Sequence, residues 1–152
     1  MIMKNLLLFF TCALFAITTF AQGINDNGDN IVGDYYTEYG GSKNKIRVTK
    51  NNSGSYKAQV FWVEKDYDKE GNKIKDKKNP DKSLRNIDID KVVLVDGLVY
   101  DKENKSWGGT KIYDPSKGIK VAVSAQFVTN DKLKLRGTIL GIGATLYWER
   151  IK

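Results

Sequence analysis

From Ile31 onward the chain alternates apolar and polar residues with a period of two. Ile31, Gly33, Tyr35, Thr37 and Tyr39 share one face opposite Asp34 and Glu38, and Ile46 and Val48 alternate with Lys45, Arg47 and Thr49. Tyr56, Ala58, Val60 and Trp62 form the next apolar face, against Lys57 and Gln59. Successive side chains of a strand point to opposite sides of a sheet, so each run predicts a half-buried strand. Glu64 to Ser83 interrupts the rhythm with a long lysine-rich excursion. Val92 to Val95 is apolar on both faces, and Asp96-Gly97 predicts a tight hairpin into Leu98 to Tyr100. Alternation resumes through Trp107 to Tyr113, Ile119 to Phe127, Leu133 to Ile139 and Leu146 to Ile151, with turn-forming clusters at Asp114 to Gly118 and Thr129 to Asp131.

About nine short strands at hairpin-like spacing, with no convincing amphipathic helix, predict an all-β domain. One buried and one wet face on most strands points to antiparallel pairing. Closing the sheet removes the open edges that so many strands would leave, so the predicted architecture is a single antiparallel up-and-down β-barrel.

The N-terminus departs from this pattern. Lys4, an apolar run from Leu6 to Phe20 and the exit Thr19-Phe20-Ala21 follow the order of a secretory signal peptide. The run is about 15 residues, short of the roughly 20 needed to span hydrocarbon, so no integral membrane span is expected. The predicted division is a signal peptide over 1–21, a flexible polar segment over 22–30 and one barrel domain over 31–152, with a periplasmic or secreted location. Cys12, the only cysteine, leaves with the signal, and Thr11 before it does not suit a lipid-attachment site.

Charge and composition narrow the chemistry. There are 25 Lys and Arg against 18 Asp and Glu, but the charges are interspersed, which fits a solvated surface better than a nucleic-acid footprint. Without histidine or a mature cysteine, zinc, copper and histidine-assisted nucleophilic sites have no donors. Asp66, Asp68, Glu70 and Gly71 carry the spacing of a calcium loop, but its twelfth position is Lys77 and lysines crowd it. A carboxylate pair for glycan chemistry would draw on Asp34, Asp114 and Glu149, of which parity turns Asp34 and Glu149 outward. No enzymatic activity, cofactor or metal site is therefore expected.

The inward faces carry the remaining signal. They combine Tyr35, Trp62, Phe127 and Trp148 with small residues at Gly33, Ala58, Ala125, Gly137 and Ala144. Small inward residues either leave an aromatic-lined cavity or let large and small neighbours interlock along the barrel's taper. Arg150 shares a face with Trp148 and falls near Tyr35 in a closed barrel, where stacking would clamp the closure; anchoring a ligand anion is the alternative. Tyr35, Trp62, Phe127, Trp148 and Arg150 are the candidate ligand-binding residues.

Six segments in order carry a family resemblance: Gly33-Asp34-Tyr35-Tyr36; Lys78-Asn79-Pro80-Asp81 with Leu84-Arg85; Trp107-Gly108-Gly109; Tyr113-Asp114-Pro115 with Gly118; Leu135-Arg136-Gly137; and Trp148-Glu149-Arg150. From Ile31 to Ile151 the chain resembles the exported bacterial proteins of domain of unknown function 2147. That resemblance implies a calycin barrel like those of lipocalins and fatty-acid-binding proteins, and it implies no settled activity. The expected function is binding of a lipid-like or other apolar small molecule. The alternative is a protein-interaction module presenting Trp107, Tyr113 and the Glu64 to Ser83 excursion, with no protein partner identified.

Overall fold

The structure, a computed structural model, describes residues 23–139 and 142–152; the predicted signal peptide lies outside them. Eight strands follow one another: β1 (Gly33–Tyr39), β2 (Ser42–Lys50), β3 (Tyr56–Val63), β4 (Val93–Asp101), β5 (Ser106–Asp114), β6 (Ile119–Thr129), β7 (Lys132–Ile139) and β8 (Ile142–Arg150). Each pairs antiparallel with the next and β1 pairs with β8, closing the predicted barrel. The expected Asp96-Gly97 hairpin is absent, because β4 runs straight through it. Gly97 takes a φ of 77° there, and the register against β3 slips between Tyr56 and Ala58. A glycine in that conformation absorbs an extra residue as a bulge as readily as it turns a hairpin.

The two ends of the barrel are built differently. At the lower end, residues 23–32 fold across the opening rather than trailing as a tether. Ile31 is buried in a 3₁₀ turn (Gly28–Ile31), Asn25 exchanges hydrogen bonds with both backbone groups of Phe127, and the Tyr56 hydroxyl donates to Asp29 at 2.6 Å. The Trp107 indole donates to the Gly28 carbonyl at 3.0 Å. Their polar side chains are spent as hydrogen-bonding partners for the barrel's lower rim, which hydropathy alone does not reveal.

At the upper end, the excursion between β3 and β4 packs against the outside of the rim. Lys73 lies between Asp66 and Asp90, and Lys75 pairs with Asp88, tying the excursion to itself. Asp76 is buried, receiving the Tyr113 hydroxyl at 2.7 Å and the Asn79 amide at 2.7 Å. The Tyr113 hydroxyl is accordingly pushed well above its ordinary value, by burial first and then by the neighbouring carboxylate. Trp107 and Tyr113, expected to offer a surface for a protein partner, are both buried, one under the lower floor and one under this excursion.

Candidate functional site

The barrel interior is stratified. Its lower layer is a chain of aromatic rings, Trp148 to Tyr35 at 6.0 Å, Tyr35 to Phe127 at 6.5 Å, Phe127 to Trp107 at 5.7 Å and Trp107 to Tyr100 at 5.2 Å between centroids. Tilted and edge contacts of this kind add to the burial of large apolar area. The Tyr35 hydroxyl donates to the Ile31 carbonyl at 2.7 Å, and burial pushes it up to about 12, with Arg150 opposing.

Arg150 closes this layer from outside. Its guanidinium lies 5.1 Å from the Tyr35 ring centroid and 5.2 Å from that of Phe127, and it donates to the carbonyls of Val32 and Asn30. Gly33 leaves the room it needs: a Cβ there would stand 2.6 Å from Nη1. With its charge committed to two carbonyls and two rings, Arg150 has the geometry of the closure clamp and caps the lower edge of the interior.

The middle layer consists of small aliphatic side chains, and they interlock. Val48, Ala58, Val95, Val123, Ala125 and Leu135 leave a void of only about 10 Å³, which Trp148 also borders. Gly137 is occupied from across the strand, since a Cβ on it would meet the Val121 methyl at 2.9 Å. Of the two outcomes that the inward small residues left open, the taper-filling one describes this layer. A preformed cavity large enough for a lipid is not present among the described residues.

Four of the five candidate residues converge at the lower end: Tyr35, Phe127 and Trp148 in the aromatic layer, Arg150 outside it. The fifth, Trp62, is a correction. β2 and β3 slip register between Lys45 and Ile46, so that Val60 faces Ile46 while Trp62 pairs with Lys45. Both Phe61 and Trp62 thereby turn outward, each 38% exposed, under Arg47 and Lys45 respectively. Alternation predicts the inward face only until a bulge reverses it.

The outer face there bears an open groove of about 380 Å³, bordered by Arg47, Lys57, Phe61, Asp90 and Lys91. Most of its charges are already matched: Arg47 bonds Asp34 twice at 2.8 Å, and Lys91 pairs with Asp88. The Arg47 hydrogen bonds hold the Asp34 carboxyl below its usual range. Glu149 pairs with Lys132 and Asp114 with Lys117, so all three carboxylates considered for glycan chemistry are tied to surface cations. Asp114 also accepts from Ser116 in its turn and from the Tyr39 hydroxyl at 2.7 Å. β1 and β5 stand opposite each other in an eight-strand ring, so that last bond spans the upper end.

The upper end is where the interior face is uncovered. Among the described residues, β1 and β8 are in register only at Tyr35 with Arg150 and Tyr36 with Glu149. Thr37 adds a hydroxyl bond to the Tyr147 carbonyl at 3.0 Å, and the strands then part. Beyond that point Leu146, Ala144 and Ile142 continue the inward face of β8 opposite Leu135, Gly137 and Ile139 of β7. Leu146 is half-buried, Ala144 is exposed and Ile142 is 80% exposed. Sequence alternation shows the face of these residues, but which end of the barrel stands open depends on where β1 and β8 diverge, and that is not written in either strand alone.

A closed eight-strand antiparallel barrel with a floored lower end and an open upper end defines a lipocalin-like protein, an architecture suited to holding small molecules. A solved structure agrees: protein HP1028 from the human pathogen Helicobacter pylori, described as belonging to the lipocalin family, shares 27% identity over 80% of this chain and 82% of its own, with a TM-score of 0.63. Residues 33–150 match the family described as uncharacterised protein conserved in bacteria, domain of unknown function 2147, and the chain belongs to it. No curated protein matches the chain.

Proposed function

We propose that this protein is an exported, non-enzymatic carrier that binds a small, mainly apolar molecule through the upper end of its barrel. The observation that carries the reading is the exposure of Ala144 and Ile142 on the inward face of β8, where β1 has left it. Apolar surface on the inside of a barrel is normally covered, and uncovered apolar surface in a concave place marks a binding site. Export is supported by Lys4, the apolar run and the small-residue exit at Ala21. The ligand enters above the filled middle layer, against Val121, Gly137 and Leu146, rather than into a ready chamber.

Protein recovered from its native envelope should begin at Gln22 and carry a small molecule visible by native mass spectrometry. Ala144→Trp should fill the upper wall and abolish uptake of the neutral probe 1-aminoanthracene while leaving the circular dichroism of the barrel unchanged. Protein that emerges empty and never takes up the probe would end the carrier reading.

A further inference from the structure

Several outward cations on this molecule have an acid beside them. Arg47 bonds Asp34, Lys50 reaches Asp29, Lys75 pairs with Asp88 and Lys105 with Asp26. The wall formed by β6, β7 and β8 is different. Neither β6 nor β7 contains an acidic residue, and the one acid of β8, Glu149, is taken by Lys132 at 3.1 Å. Lys134 and Arg136 are thus left without an acidic partner among the described residues. Lys132, Lys134 and Arg136 occupy alternate positions of β7, so they form a row on its outer face, with neighbours about 7 Å apart. Uncharged residues flank the last two: Lys134 lies between Gln126 and Tyr147, and Arg136 between Ser124 and Thr145. Apolar side chains stand exposed around the row, Val128 at 49% near its lower end, Tyr147 at 45% beside Lys134 and Ile142 at 80% at the upper end.

We propose that this wall docks the protein on an anionic lipid bilayer, with Lys132, Lys134 and Arg136 against the headgroups and Tyr147 and Ile142 entering the interface. Charge is the first argument. A row of Lys and Arg free of acids is drawn to anionic headgroups, each cation near the surface being worth about fivefold in partition. The exposed apolar groups are the second. A tyrosine ring, apolar in its body and polar at its tip, suits the headgroup boundary, and an exposed isoleucine gains by leaving water there.

Shape is the third. The outside of a barrel is convex, so a flat bilayer can meet it along a single strand. A second copy of the chain would instead set two basic rows against each other, and like charges across an interface repel. The Arg136 guanidinium lies over bare Gly143, where a Cβ would stand 3.0 Å from Nη2, so the row ends one residue from Ile142 at the open mouth. The docking does not depend on the carrier reading. On that reading it sets the uncovered end beside the phase in which an apolar molecule dissolves.

The test is co-sedimentation of the exported form of the protein with vesicles of phosphatidylglycerol and phosphatidylethanolamine, against vesicles of phosphatidylcholine alone. Binding should be strong on the anionic vesicles, weak on the neutral ones, and should fall as added salt shortens the reach of charge. Lys134→Gln combined with Arg136→Gln should lower it about 20-fold, and Ile142→Ser should lower it as well. Lys45→Gln combined with Lys57→Gln removes the same charge from β2 and β3, across the ring, and should change binding by less than about twofold. Equal loss in the two double variants would mean attraction by net charge alone and would overturn the proposal. So would equal binding to both kinds of vesicle, no binding to the anionic ones, or binding of soluble polyglutamate as tight as that of the vesicles, which would point to an acidic chain rather than a lipid surface. If the Lys134 and Arg136 double variant does not fold, spin-labelled phosphatidylglycerol decides in the unaltered protein: it should broaden the amide resonances of β7 and β8, and broadening centred on β2 and β3 would overturn the assignment.

Discussion

Arg150 shows how one side chain can hold both ends of a chain together. It is the last residue of β8, yet its hydrogen bonds reach back to Asn30 and Val32, ahead of the first strand. A lysine in its place would keep the charge but lose the planar fork that serves two carbonyls and two rings at once. Arg150→Lys is therefore expected to destabilise the barrel by about 2 to 4 kcal/mol, from two carbonyls left short of a donor and weakened stacking. Urea unfolding monitored by tryptophan fluorescence measures this directly. Most of this clamp was legible beforehand: parity put Arg150 beside Trp148, and barrel closure put Tyr35 next to both. The bonds to Asn30 and Val32 were not, since they depend on the path of residues that show no alternation.

At the scale of strands and connections, glycine positions decide what alternation leaves ambiguous. Asp96-Gly97 reads as a hairpin and is a bulge, and Phe61 and Trp62 read as opposite faces and share one. In each case neighbouring strands impose a register that the local sequence can satisfy in two ways. Gly118 is the informative contrast. Its φ is 70° and a Cβ on it would stand 2.3 Å from the Lys78 carbonyl oxygen, so the β5–β6 turn and the excursion meet on a bare backbone. Lys78 fastens the same contact by donating to the Ser116 carbonyl. Gly118→Ala should cost about 1 to 3 kcal/mol and, more tellingly, should raise hydrogen exchange across residues 74–91 while the amides of β1 and β2 stay protected. Uniform loss of protection would mean that the excursion is not a separately fastened element.

On the scale of the molecule, the barrel and its strand order follow from period-two patterning, whereas its contents do not. Whether Ala58, Ala125 and Gly137 leave a chamber depends on which large side chains face them across the ring, and Val121 fills what Gly137 leaves. Three buried tyrosines offer a test of how tightly the molecule is packed. Tyr35 is raised from 10.0 to about 12, chiefly by burial, and Tyr56 and Tyr113 are raised further in the same direction, again with burial leading. A group whose folded value lies above its unfolded one lends its full stability below the unfolded value and loses it as pH climbs through the folded one. For Tyr35 the loss falls between 10.0 and about 12. Stability should therefore hold to about pH 10 and then fall, with Tyr35, Tyr56 and Tyr113 ionising in step with unfolding rather than before it; Tyr35→Phe should flatten the part of the decline that Tyr35 contributes. Ionisation of Tyr35, Tyr56 and Tyr113 near 10.0 in a still-folded chain would contradict the burial described for them.

The two-residue closure between β1 and β8 separates what keeps this protein folded from what, on the proposed carrier reading, determines what it can hold. Substitutions along the free stretches of those strands can widen or narrow the opening without touching the rings and clamp beneath it. Related chains could thus come to accept guests of different girth on an unchanged foundation, and variation along 142–146 is where such divergence of diet would be written.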